Sequence, residues 1–294
     1  MAILSFDIGG SSVKYAVIEA TGKILTKGKK PTPPEKAAFF TLIEDIAASY
    51  RKEYEIEGAG FSFPGAVDDD TGVIGGASAI PYIHDFPMRQ ALEDRLGVPV
   101  AMENDANCAA LGESWCGAGK AYADIVFLVI GSGVGGAVVI GNRIHHGRHL
   151  HGGEFGYMVA DASHRILSEV GSTRAVAEAV ADAKGLPPEE MDGEKAFALA
   201  DQGDAAAMRA VSSMYEALAC AIYNLQYAID PEAFVLGGAV SERPGFADEI
   251  QKRIDAILRD VGIARIRPVV IAAQFGNDAN LLGAARTLLT KEGH

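Results

Sequence analysis

The stretch Phe6-Asp7-Ile8-Gly9-Gly10-Ser11-Ser12-Val13-Lys14 sets two glycines and two serines between apolar residues, with an acid entering the turn and a lysine leaving it. Apolar runs flanking a Gly/Ser cluster are the mark of a β-hairpin. Reading outward, Ile3 to Asp7, Val13 to Glu19 and Ile24-Leu25 form a meander whose second turn is Thr21-Gly22. The pattern returns 122 positions later, where Ile3, Ile8, Gly9, Val17 and Ile18 are matched by Ile125, Ile130, Gly131, Val139 and Ile140, with Gly141-Asn142 as the second turn. A second echo is verbatim. Asn104-Asp105-Ala106-Asn107 opens an alanine-rich helix after the strand-like Pro99 to Met102, and Asn277-Asp278-Ala279-Asn280 opens another near the C-terminus. The two echoes point to duplicated α/β domains.

Helix signals fall at Glu35 to Tyr50, at Met88 to Leu96 with Gly97 as the stop, and at Ser172 to Ala183. The longest helix is expected from its N-cap Asp204 to Asp230, where Pro231 prevents continuation. Another follows Gly245, and the last spans Ala279 to Leu289. Strands alternate with these helices at Gly58 to Phe63, Pro99 to Met102, Phe234 to Leu236 and Val269 to Ala273, which predicts α/β layers with partly parallel sheets. Lys30 to Pro34 reads as a short loop.

Composition narrows the function. The 294 residues are 49% apolar and 22% charged, as in ordinary soluble globular proteins. A net charge of −13 opposes the phosphate attraction on which nucleic-acid binding relies. Cysteines 108, 116 and 220 form no C-x-x-C pair, so a reducing cytoplasm is expected, and no secretory signal precedes Asp7. Ile125 to Asn142 is uncharged over 18 residues, superficially like a membrane helix, but five glycines break it into two strand-like pieces. No membrane partner is expected.

Each chemistry-bearing segment also has a plain structural alternative. A hairpin tip without side chains lets backbone N–H groups approach an anion, and Asp7 beside it suits a hydrated magnesium ion; the alternative is an ordinary hairpin with an exposed acid. Gly131-Ser132-Gly133-Val134-Gly135-Gly136 satisfies the dinucleotide fingerprint G-x-G-x-x-G, yet a strand and turn follow it where that fingerprint needs a helix. A pair of phosphate-gripping turns, one per repeat, fits better than a nicotinamide dehydrogenase. Asp105 follows a strand and begins a helix, so it either caps that helix, a job Asn104 can also do, or accepts a proton from a substrate hydroxyl. Leu236-Gly237-Gly238 either lets an adenine lie against backbone or is only a strand-to-helix turn. His145-His146-Gly147-Arg148-His149-Leu150-His151 is either a metal-ligating cluster or, as its interrupting glycines and arginine favour, a polar loop. Glu154, in Gly152-Gly153-Glu154-Phe155-Gly156-Tyr157, either bonds sugar hydroxyls or is a surface loop acid.

Together these stretches resemble the ROK family of sugar kinases and regulators, within the actin-like ATPase superfamily. Asp7-Ile8-Gly9-Gly10 looks like the first phosphate motif, Glu103 to Asn107 the catalytic segment, Gly131 to Gly136 the second phosphate motif and Leu236-Gly237-Gly238 the adenosine motif. The resemblance implies two duplicated ribonuclease H-like lobes with mixed sheets and a cleft between them. The small lobe is expected at 1–115, completed by a C-terminal helix at 279–294, and the large lobe at 116–278. It further implies Asp105 as general base, Asn104, Asp105, Glu154 and Gly65 at the sugar, and Asp7, Gly9, Gly10, Ser11, Gly131, Ser132, Gly133, Gly135, Gly237 and Gly238 at ATP and its Mg²⁺, with Asp7 nearest the metal. Lys14 matches a family lysine without an assigned role.

One departure is informative. Many members build a structural zinc site from a histidine and three cysteines, followed by a sugar-contacting glutamate. Here Tyr157 stands at the histidine position, Arg165, Leu167 and Ser172 at the cysteines and Arg174 at the glutamate, so no zinc is expected and the pattern is similar to the zinc-less branch that includes β-glucoside kinases. Family repressors place a helix-turn-helix before the kinase-like domain; with the first phosphate motif at Asp7, none is expected here. The expectation is thus an ATP- and Mg²⁺-dependent kinase for a primary hydroxyl, O6, of a hexose or β-glucoside disaccharide. The rival is a non-catalytic sugar-sensing regulator of the same family. A homodimer is a family-level expectation.

Overall fold

The computed structural model describes residues 2–291, so residues 1 and 292–294 of the expected small lobe lie outside the described residues. The chain divides into two compact units, the first comprising residues up to Lys120, Asn142–Gly152 and Asn277 onward, the second Ala121–Gly141 and Gly153–Gly276.

In the first unit, β1 (Ala2–Ile8), β2 (Ser12–Glu19) and β3 (Ile24–Pro31) form the antiparallel meander. Helix α1 (Lys36–Tyr50) leads to β4 (Ile56–Phe63), and a small hairpin, β5 (Ala66–Asp68) with β6 (Val73–Gly75), precedes α2 (Met88–Leu96). Strand β7 (Val100–Asn104) then runs straight into α3 (Asp105–Cys116). The sheet order is β3-β2-β1-β4-β7, with β4 parallel to both β1 and β7. Gly97 ends α2 in the left-handed conformation, as its position predicts.

Strand β3 is longer than the two apolar residues Ile24-Leu25 suggest. It continues through Lys27, Lys29 and Lys30 to Pro31 because the backbone ladder to β2 carries it (Lys14 opposite Lys29, Ser12 opposite Pro31). Its position at the sheet edge tolerates both exposed lysines and a terminal proline.

The second unit repeats the plan with β8 (Ile125–Ile130) and β9 (Val134–Ile140) as a hairpin. A two-residue strand β10 (Arg143–Ile144) opens the segment that groups with the first unit. Helices α4 (Leu167–Val170), α5 (Thr173–Lys184), α6 (Gly193–Asp201) and α7 (Ala205–Ile229) follow. Then come β11 (Ala233–Gly237), parallel to β8, α8 (Phe246–Val261) and β12 (Val270–Ala272), parallel to β11. Asp204 caps α7 through Ala206 and Ala207 N–H groups, and α6, not anticipated from the sequence, is capped by Asp192 on the Lys195 N–H. Val126, Leu128, Phe234 and Leu236 of the central strands pack with Met214, Leu218 and Ile222 of α7 as this unit's core.

The last helix, α9 (Ala279–Lys291), belongs to the first unit and lies against β1, β4 and α3. Backbones meet directly there. A Cβ on Gly283 would fall 1.7 Å from the Cys108 carbonyl oxygen, one on Gly112 2.2 Å from that of Ala279, and one on Gly60 2.0 Å from that of Ala284. Ser5 adds a hydrogen bond to the Leu281 carbonyl. This seating fixes the start of α9 beside the start of α3.

Candidate active site

In the first unit the carboxyl ends of β1, β4 and β7 line up, with Asp7 opposite Ser62, and Ser62 opposite Glu103. Ligands in open α/β sheets bind just beyond such ends. Asp7, only 8% exposed, accepts from Ser62 Oγ (3.0 Å) and from Lys14 Nζ (3.1 Å), and Lys14 reaches on to Asn277 Oδ1 (3.3 Å). The adjoining turn is closed by Gly9 N–H to the Ser12 carbonyl (3.0 Å) and braced by Thr32, whose hydroxyl bonds the Gly9 carbonyl. Its tip, Gly10 and Ser11, is exposed, and a Cβ on Gly10 would come 2.8 Å from that of Ala79.

The choice between capping and chemistry for Asp105 turns on its neighbour. Asn104 is the N-cap of α3, its Oδ1 accepting from Ala106 N (2.9 Å) and Asn107 N (3.2 Å). Its Nδ2 donates to the Gly65 carbonyl (3.0 Å) and to Asp105 Oδ1 (3.0 Å), so both ends of the amide are used. Asp105 is therefore the first residue inside the helix, half-buried, with Ala106 N–H also on its Oδ1 (2.9 Å). Gly65, Asn104 and Asp105 are brought together. Gly65 needs its glycine, since φ is +108° and a Cβ would meet the Gly75 carbonyl at 2.8 Å.

Two asparagines of the C-terminal echo join this cluster. Asn280 Nδ2 donates to the Asp105 carbonyl (3.1 Å) and to Ser62 Oγ (3.3 Å), linking Asp7 to Asp105 through Ser62, while Asn277 receives Lys14. Asp278 instead pairs with Lys27 (2.6 Å). The repeated tetrapeptide marks both halves of one network. Below it, burial first, then the Glu103, Asp7 and Asp105 carboxylates, push the Cys108 thiol well above its ordinary range and keep it protonated.

Of the histidine run, His146 stands out. Its Nε2 lies 2.7 Å from Glu103 Oε2, and this hydrogen bond, against some desolvation, raises the ring above the ordinary histidine value. His151 bonds only the His149 carbonyl among its described partners. Among the described residues no group of three or more His, Cys, Asp or Glu side chains stands ready to hold a metal ion.

In the second unit, the Gly131 turn joins β8 to β9 as a hairpin, so a strand follows the G-x-G-x-x-G run. Thr173, at the start of α5, donates both its N–H (2.9 Å) and hydroxyl (2.8 Å) to the Gly131 carbonyl, and Ser168 bonds the Val134 N–H (3.0 Å). Ser132 stands exposed at the tip, with Gly133 half-buried against Ser168, and a Cβ on Gly135 would touch Val129 at 3.0 Å. Gly237 ends β11 against the Phe127 ring, and Gly238, at φ +89°, lies so close to Ile130 that a Cβ would sit 2.1 Å from its carbonyl oxygen. Beside these turns opens a cavity of about 440 Å³ whose lining includes Thr173, Phe197, Val240 and Arg243 together with the acids Asp192 and Glu194. Arg243 lies over the Phe197 ring (4.6 Å) and is held by both oxygens of Asp201 (2.8 and 2.7 Å). Thr173, Phe197 and Arg243 carry no motif, and their alignment is legible only in three dimensions.

Glu154 is exposed on a short turn pinned on either side: Phe155 is buried against Gly136, and a Cβ on Gly153 would meet the backbone of Ala137 at 2.6 Å. The residues at the zinc-ligand positions have other tasks. Arg165 pairs with Asp161, Leu167 is buried, Ser172 caps α5 on Ala175 N–H (3.1 Å), and Arg174 lies within 3.8 Å of Glu178 on the exposed helix face. Tyr157 is 71% exposed.

The chain is similar in sequence and fold to known sugar kinases. A β-glucoside kinase of Listeria monocytogenes is 32% identical over 99% of both chains. A ROK family protein of Streptococcus pneumoniae, solved in complex with sucrose, superposes with a TM-score of 0.91 at 34% identity, covering 100% of each chain. A glucokinase of Streptomyces griseus, solved with glucose and AMPPNP, gives 0.78 at 28% identity, again over 100% of each chain. The ROK family profile matches residues 3–291, and with two glycine turns, the Glu103–Asn107 segment and the Gly237-Gly238 turn all seated at strand ends, the chain belongs to the ROK family.

Proposed function

We propose that this ROK protein is a carbohydrate kinase that transfers the γ-phosphoryl group of ATP to a primary hydroxyl, O6, of a hexose or β-glucoside. The β-glucoside kinase and glucokinase relatives support the class of acceptor, and the AMPPNP-bound glucokinase supports ATP as donor. The observation that carries the assignment of the base is that Asn104 supplies the cap of α3, so the Asp105 carboxylate is not required as the cap and is assigned to accept the proton of the sugar hydroxyl as the phosphoryl group arrives. Asn104 contacts the sugar by exchanging one of its amide N–H partners, the Gly65 carbonyl or Asp105 Oδ1, for a hydroxyl.

The turns at Gly9, Gly10 and Ser11 and at Gly131, Ser132 and Gly133, with Gly10, Ser11 and Ser132 exposed at their tips, grip phosphate oxygens by backbone N–H groups, and Gly135 keeps the second hairpin tight. The adenosine end lies against Gly237 and Gly238 and takes the cavity flanked by Phe197 and Arg243. Asp7 fits magnesium as an outer-sphere partner, because its oxygens already receive Ser62 and Lys14 and Mg²⁺ keeps much of its water shell. Magnesium held there would supply positive charge to offset that of the phosphates. Glu154 hydrogen-bonds sugar hydroxyls.

An ADP-release assay with Mg·ATP across glucose, cellobiose, other β-glucosides, N-acetylmannosamine and fructose tests the proposal. ADP formation that requires one of these sugars is expected. Calorimetric sugar binding without ADP formation from any of them would instead identify a sugar-sensing protein.

A further inference from the structure

We propose that His146 is a positioning residue for this reaction: seated on the buried Glu103 side chain, it holds the β7–α3 junction from which Asn104 and Asp105 project. The inference rests on the kinase reading above and adds to it a residue outside the phosphate, adenosine and sugar motifs.

Glu103 is 5% exposed and divides its two oxygens between the junction and the histidine. Oε1 accepts from the Asn104 N–H (2.8 Å) and from Asn107 Nδ2 (2.9 Å), while Oε2 meets His146 Nε2 at 2.7 Å. Asn104 is thus held at its N–H by Glu103, and at its side chain it caps α3, bonds Gly65 and touches Asp105. Remove the imidazole and a buried carboxylate oxygen loses its donor. Buried unpaired charge is costly, so Glu103 turns to find another partner and lets go of the Asn104 N–H.

The histidine itself is fixed. Its carbonyl accepts the Gly152 N–H (2.8 Å), Gly147 takes a φ of +71°, and a Cβ on Gly152 would lie 2.2 Å from the His145 carbonyl oxygen, so residues 145–152 close on themselves. Two residues further along this chain is Glu154, so the same loop leads into the segment proposed to reach the sugar. Charged groups facing the ring, among the described residues, are Glu103 from β7, Asp69 from the β5–β6 turn and Lys291 from the end of α9. The two acids favour the imidazolium and Lys291 opposes it, with the Glu103 hydrogen bond dominant.

The test compares full-length wild type with His146→Ala, His146→Gln and Glu103→Gln. kcat and both KM values are measured from about pH 6 to about pH 9, and the imidazole Cε1 signals are followed by NMR. His146→Ala is expected to lower kcat about ten-fold with KM for ATP unchanged, because the junction carrying Asn104 and Asp105 is misplaced while neither glycine turn is touched. His146→Gln, whose amide nitrogen can replace Nε2 as donor, is expected to recover most of that loss. It should also lack the step of about five-fold that wild type shows as His146 sheds its proton and the charge-assisted bond weakens. In Glu103→Gln the His146 signal should titrate at a lower pH than in wild type. A kcat for His146→Ala within about two-fold of wild type, or His146→Gln no better than Ala with both folded, would overturn the proposal. So would a His146 titration that ignores Glu103→Gln. Wild type that forms no ADP with any sugar sinks the kinase reading and the positioning role with it, while the NMR titration still decides whether the pair exists.

Discussion

Replacing Asp105 with asparagine separates chemistry from structure more cleanly here than at most catalytic acids. Asparagine keeps an oxygen for the Ala106 N–H and the Asn104 amide, and the cap of α3 belongs to Asn104, so the helix start survives. What is lost is one negative charge in the first turn, worth about 0.3–1 kcal/mol against the helix dipole, so denaturant midpoints should barely move. The lost base should lower kcat by about 10² to 10⁴-fold, or roughly 3 to 5.5 kcal/mol of transition-state stabilisation. KM for ATP should stay put, since neither glycine turn is touched. Coupled ADP release at saturating sugar, alongside urea unfolding of both proteins, gives both numbers. A folded Asp105→Asn variant turning over within about ten-fold of wild type would refute the role of this carboxylate.

Other perturbations report on the framework. Gly238→Ala forces a side chain into φ +89° and onto the Ile130 carbonyl, so stability should fall by about 1–3 kcal/mol and KM for ATP should rise, while KM for sugar holds, as seen by steady-state kinetics. Gly283→Ala drives a methyl into the Cys108 carbonyl between two packed backbones, and a loss of about 3 kcal/mol is expected in chemical denaturation. His146 binds its proton more tightly folded than unfolded. Its contribution to stability is therefore complete below the ordinary value of 6.5 and fades as pH rises through the higher folded value, a slope that unfolding curves in that window should show in wild type and lose in His146→Gln.

Much of the fold was legible because repetition survives in the sequence. The glycine turns at Gly9 and Gly131 and the strands around them, matched at a fixed offset, correspond to hairpins with the same neighbours, β1 beside β4 and β8 beside β11. Helix ends marked by Gly97, Ser172 and Asp204 were equally clear, because capping is local chemistry. Strand β3 beyond Leu25 was hidden, since pairing with β2 and not apolar patterning extends it. Asp105 could be named from its motif, but the division of labour with Asn104 could not, because either residue type can cap. Ser62, Asn280 and Thr173 were missed, and His146 was named only as part of a histidine run, for a common reason. Each is an ordinary polar residue whose role exists only once distant strand ends and helix starts meet. Two of them carried a signal: His146 its histidine run, and Asn280 the repeated Asn-Asp-Ala-Asn, whose two copies turn out to share one hydrogen-bonded network.

The most direct measurement is a proton-coupled phosphorus NMR spectrum of the product made from Mg·ATP and the best sugar acceptor. A phosphate ester on a methylene carbon, split into a triplet by its two protons and formed in step with ADP, is the predicted result. A doublet from a secondary carbon would move the reaction off O6, and inorganic phosphate alone, or no new signal despite bound sugar, would contradict sugar phosphorylation by this chain.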